Sequence, residues 1–96
     1  MALIISTQVR NKLANKTPPV TQEEIAQCFA NRTGQMLIDT RADHLTNPMT
    51  RWFISETDFG RKLKIAFIPA QGNIVIKTAY DPNAVELSIY ADIGKP

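Results

Sequence analysis

The sequence predicts a small single α+β domain over residues 1–96, with two N-terminal helices, an antiparallel four-stranded sheet and one C-terminal helix. Three observations carry this expectation. "TQEE" places Thr21 and Glu24 at capping-box spacing and opens a helix. From Gln35 onward the apolar period changes from helical to alternating. The connections between the later alternating segments are short and contain glycine, which favours antiparallel hairpins over crossovers. The helices are expected on one face of the sheet, leaving the other to a ligand.

Each element follows from its residues. "LIIS", Leu3 to Ser6, reads as a short apolar strand ending in a serine suited to cap a helix. A helix from about Thr7 to Lys16 has Val9 and Leu13 four apart on one face, and "TPP" at Thr17 to Pro19 stops it. In the helix opened by Thr21, Ile25, Cys28 and Phe29 share a face, and Gly34 is a natural stop. Cys28 therefore reads as a core thiol. "QMLIDT", "RWFISET", "KLKIAFI" and "NIVIKTAY" are the four strands. The third alternates cleanly, with Leu63, Ile65 and Phe67 on one side and Lys62 and Lys64 on the other. "DPNAVELSIYADIG" closes as a helix with Asp81 at the cap, Pro82 in the first position and Gly94 after the end.

Composition narrows the chemistry. One cysteine cannot form an internal disulfide, "MALIIS" lacks the basic start and length of a signal peptide, and no apolar run approaches the roughly 20 residues that cross a bilayer. A reducing, bacterial-style cytoplasm is the expected location. One Cys and one His cannot build a closed zinc site, and the carboxylates are too dispersed for a hard-cation cage, so neither metal nor cofactor is expected.

A net charge of +2 permits a nucleic-acid partner without requiring one. If Lys62 and Lys64 point outward, Arg51, Arg61 and Lys77 can join them in a basic surface that attracts phosphate oxygens and stabilises charge developing at phosphorus. The competing reading is that these lysines keep one sheet face soluble. His44 is suited to moving a proton near neutral pH, with Asp39 or Asp43 to orient it, though a loop histidine is often merely exposed. Trp52 offers a base-stacking surface or a core side chain, and Tyr80 a phosphate contact or a buried hydrogen bond.

The order of "PPVTQEEIAQCF", "DTRADH", "TRWF", "GRKLKIAFI", "GNIVIKTAY" and "ELSIY" resembles the BrnT-type toxins and related small domains of unknown function in the RelE-like ribonuclease superfamily. Asp39 and His44 match that family's aspartate and histidine-bearing turn. Arg51 matches the arginine that opens a strand, Gly60 and Arg61 a Gly-Arg pair, and Glu86 a glutamate in the final helix. Thr50 stands where the family has glutamate, "TAY" at residues 78–80 where it has Ser-Ala-Arg, and the last helix is acidic instead of basic.

The resemblance implies a RelE/BrnT-like domain acting as a metal-independent RNA endonuclease, the toxin of a type II toxin–antitoxin system, held in check by a small DNA-binding antitoxin. His44 would move the 2′-hydroxyl proton and Arg51 and Arg61 would hold the scissile phosphate. Lys62, Lys64, Lys77 and Tyr80 would contact the RNA. Loss of arginine at position 80 opens a second class of function, a non-catalytic partner-binding or accessory domain of the same fold. Self-association into a homo-oligomer is compatible with both. An ADP-ribosyl-(dinitrogen reductase) hydrolase, a label some look-alikes carry, does not fit, because such enzymes are much larger helical proteins with clustered carboxylates that bind magnesium.

Overall fold

The computed structural model describes residues 2–40 and 49–95. Along the chain it forms β1 (Leu3–Ile4), α1 (Thr7–Ala14), α2 (Gln22–Asn31), β2 (Leu37–Ile38), β3 (Arg51–Glu56), β4 (Lys62–Ala70), β5 (Asn73–Tyr80) and α3 (Ala84–Ile93). These strands make one sheet in the order β1-β5-β4-β3-β2. The run from β2 to β5 is the expected antiparallel meander, whereas β1 lies parallel to β5. Among the described residues the sheet is thus five-stranded and mixed, where the sequence predicts four antiparallel strands. The fifth strand covers an edge that β5 would otherwise expose: the Ile74 amide donates to the Ala2 carbonyl at 2.9 Å, and Leu3 and Ile5 pack on the core.

Local chemistry explains the boundaries. Ser6 caps α1, its hydroxyl accepting from the Val9 amide at 3.2 Å. Thr21 and Glu24 form the reciprocal capping box at 3.0 and 3.1 Å. The β4–β5 hairpin turns on Gln71 and Gly72, both at positive φ (53° and 80°), the signature of a type I′ turn whose twist matches the strands. The β3–β4 connection closes with Gly60 at φ 84°, the Gly60 amide donating to the Thr57 carbonyl at 3.0 Å.

Two predicted boundaries shift. The cap of α3 is Asn83 and not Asp81: the Asn83 side chain accepts from the Glu86 amide at 2.8 Å while the Glu86 carboxylate accepts from the Asn83 amide at 3.0 Å, a second capping box. Gly34 does not stop α2, which ends at Asn31. A methyl group at Gly34 would collide with the Tyr90 hydroxyl and the Gly94 carbonyl, so glycine is there to let α3 approach.

Strand register assigns the faces. Phe53, Leu63, Ile65, Phe67, Ile76 and Ala79 line one face, and Leu13 of α1 with Ile25 and Cys28 of α2 complete the core against it. Phe29 meets Phe53 and Phe67 edge-on, with ring centroids 4.8 and 5.4 Å apart. The Cys28 thiol points at the Ser55 carbonyl from 3.8 Å, and burial pushes its pKa up to about 11. Trp52, Ile54, Lys64 and Tyr80 fall on the opposite face. α3 lies there, which corrects the expectation that all helices share one face. Its Glu86 reaches Lys64 and Tyr80, and its Tyr90 ring rests 5.6 Å from that of Trp52. The sheet is therefore covered on both sides, with α1 and α2 below and α3 above. Among the described residues no helix is long and apolar enough to cross a membrane.

Candidate functional site

β4 carries Lys64 into the space beneath α3 because its apolar neighbours Leu63 and Ile65 commit the alternate face to the core. A lysine placed there needs a counter-charge. Glu86 supplies it: the Lys64 ammonium donates to Glu86 Oε2 at 2.8 Å, with side chains only 9% and 15% exposed. The Tyr80 hydroxyl donates to the same oxygen, leaving Oε1 to cap α3 through Asn83. The ammonium also sits 4.6 Å from the Trp52 ring centroid and 5.6 Å from that of Tyr80. One carboxylate thus closes a helix end, neutralises a nearly buried cation and fastens α3 to the sheet.

Electrostatics set what this cluster can do. Burial pushes the Glu86 carboxyl up, but hydrogen bonds from Lys64, Tyr80 and the Asn83 amide outweigh it and hold the group below its ordinary value. Burial, and then the bond to Glu86, push the Tyr80 phenol above its ordinary value despite the nearby Lys64. Neither group changes charge near neutral pH. The arrangement holds charge in place and is poorly suited to general acid–base work there.

Beside the cluster, a cleft of about 300 Å³ opens between β2 and α3, lined by Leu37, Ile38, Asp39, Thr40, Trp52, Lys64, Glu86, Ile89 and Ile93. Asp39 is buried at its wall, its amide donating to the Thr50 carbonyl at 2.8 Å. A larger cleft of about 810 Å³ lies between the end of α2, the end of β3 and α3, with Glu56, Asp58 and Lys62 among its polar lining and Ile54, Leu87 and Tyr90 among its apolar lining.

The residues nominated from sequence are dispersed over this frame. Arg61 is held by protein groups: its guanidinium donates to Asp81 at 2.8 and 3.1 Å, to Glu24 at 3.1 and 3.2 Å, and to the carbonyls of Pro18 and Pro19 at 3.1 and 2.8 Å. It ties the end of β5 to the start of α2. Arg51 pairs with Phe67 and Ile38, so its register places it on the face of Phe53, opposite Lys64 and Trp52. Lys62 and Lys77 are exposed, Lys77 being the residue that β5 inserts at a bulge between Ile76 and Thr78. Lys64, Tyr80 and Glu86 do converge, with Trp52 and Asp39 nearby. Asp43 and His44 lie outside the described residues.

The sequence points to these residues singly and does not show the cluster they form. A signal for part of it was present, since Asn83 and Glu86 have capping-box spacing. Among the described residues, no three His, Cys, Asp or Glu side chains are grouped to hold a metal ion.

With this geometry in view, comparison with known proteins adds no relative: no family model, no curated protein and no solved structure matches the chain.

Proposed function

We propose that this domain acts by binding a protein partner and is not itself a nuclease, as one component of a toxin–antitoxin-like pair. One observation carries the reading. The cations that a phosphate clamp would need are committed internally, Arg61 to Glu24 and Asp81 and Lys64 to Glu86, while Arg51 stands on the other face. Meanwhile Ile38, Ile89 and Ile93 remain exposed at the lining of one cleft, the kind of surface that protein association covers.

A second reading, a metal-independent RNA endonuclease neutralised by a small DNA-binding antitoxin, draws support from the exposed Lys62 and Lys77 and from the meeting of Asp39, Trp52 and Lys64 at one cleft. The two readings separate in one experiment. Purified protein is incubated with a mixed RNA pool in the presence of a chelator, beside the His44→Ala protein. Intact RNA in both lanes, with no growth inhibition on expression, is the expected result. New RNA ends produced by the wild type alone would overturn the partner-binding reading and place His44 in a cleavage mechanism.

A further inference from the structure

β3 outruns its edge neighbour. The pairs Leu37↔Trp52 and Ile38↔Arg51 would set Gln35 opposite Ile54 and Thr33 opposite Glu56 if the register continued, but β2 begins only at Leu37. The chain before it is drawn toward α3 instead. The Gln35 amide donates to the Gly94 carbonyl at 2.9 Å, and the Tyr90 hydroxyl fills the gap, donating to the Gln35 carbonyl at 2.7 Å and accepting from the Ile54 main chain. The cleft of about 810 Å³ between α2, β3 and α3 opens where the missing strand would lie.

Alternation decides which main-chain groups face this cleft. The Thr57 amide donates to the Arg61 carbonyl, so Ser55 and Phe53 also turn their main chain toward β4, while Ile54 and Glu56 turn theirs outward. Two of the four outward groups are taken: the Ile54 amide by Tyr90, and the Glu56 carbonyl by the Asn31 side-chain amide at 3.0 Å. The Ile54 carbonyl and the Glu56 amide have no partner among the described residues. An edge with one acceptor and one donor left open is a template for another main chain.

We propose that this edge takes one extended segment of a partner protein, running parallel to β3. One residue of the segment donates its N–H to the Ile54 carbonyl and accepts from the Glu56 amide through its C=O. A single residue of a parallel strand makes both bonds. An antiparallel segment would need two residues, whose remaining main-chain groups would face positions that Tyr90 and Asn31 already hold. The residues on either side of the pairing one turn toward α3, onto Ile54, Leu87 and Ala91, and are therefore apolar. Toward the segment's C-terminal end lies Asp58, exposed and met at 2.9 Å by the neutral Asn31 amide, so a lysine or arginine there finds a counter-charge.

The probe is the acetylated, amidated peptide Thr-Val-Thr-Val-Lys, titrated into the full chain labelled with nitrogen-15. Saturable shifts centred on the Glu56 amide, and slowed exchange of that amide, are expected. N-methylation of the central threonine removes the donor and should weaken binding about tenfold or more, whereas N-methylation of the first valine, whose N–H points away, should not. Glu56→Pro removes the protein's own donor at an edge position that tolerates proline, and should abolish binding with the circular dichroism of the fold retained. Should that variant fail to fold, the two methylated peptides decide alone. Absence of saturable shifts, or equal binding of the peptide methylated at the central threonine, overturns the proposal. So does a Glu56 amide already protected in the free protein, which would mean that the chain itself covers the edge, or protection that grows with protein concentration, which would give the edge to a second copy. This site extends the partner-binding reading to a second cleft. Failed peptide binding with RNA left intact removes the site alone, whereas RNA cleavage removes that reading and leaves the peptide titration to decide the site.

Discussion

Replacing Glu86 by alanine strands Lys64 beneath α3. The two side chains are 9% and 15% exposed, so solvent screens the pair little. Removing one partner of such a pair costs about 3–5 kcal/mol. The lower end applies because the ammonium keeps its contact with the Trp52 ring at 4.6 Å. A loss of about 3 kcal/mol is therefore expected, roughly 12–24 °C in Tm for a domain of this size. Such a loss is survivable against a typical total of about 5–15 kcal/mol. Urea unfolding followed by far-UV circular dichroism and by the fluorescence of Trp52, the only tryptophan, measures it. Pairing Glu86→Leu with Lys64→Met removes both charges and should recover most of the loss, giving a coupling of at least about 2 kcal/mol in a double-mutant cycle. A Glu86→Ala protein within about 0.5 kcal/mol of wild type would refute the claim that this carboxylate fastens the helix.

The pH response follows from the same cluster. Glu86 is depressed below its ordinary 4.5, so its contribution is complete above that pH and is lost as pH falls through the lower folded value; Tyr80 is raised above 10, so its contribution holds below 10 and fades as pH rises through the folded value. Amide exchange in α3 should therefore accelerate at both extremes before the α1–α2 side loosens. Arg61→Lys keeps the charge but cannot reach four acceptors, and should cost about 2 kcal/mol of stability by urea titration, little of it from the more exposed Asp81; unchanged stability would mean the guanidinium is free for a ligand. Gly34→Ala should destabilise by about 2 kcal/mol or more by forcing Tyr90 and Gly94 away, and a neutral result would show that α3 is not seated there. Cys28 should resist a thiol reagent at pH 8 and react fully in urea, as its pKa of about 11 and burial require.

The order and type of the main elements were legible because local chemistry specifies them. The Thr21–Glu24 box acts over three residues and starts α2. The alternation of Leu63, Ile65 and Phe67 commits one side of β4 to the core. The Gln71–Gly72 turn makes the following hairpin nearly obligatory.

What the sequence could not decide were pairings between distant segments. Leu3–Ile4 joins β5 some 70 residues later, and nothing in so short a strand announces a parallel edge. The register of β3, which turns Trp52 toward Lys64 and Arg51 away, depends on contacts with β4 and not on residues 51–56 alone. Lys64 read as a solvent-facing lysine because alternation reports only which face a side chain occupies. That the face is covered, and by a helix whose Glu86 meets that lysine, follows from where α3 comes to rest. Local propensities determined the parts of this protein. The chain's return across both faces of its sheet decided which charges are spent holding it together.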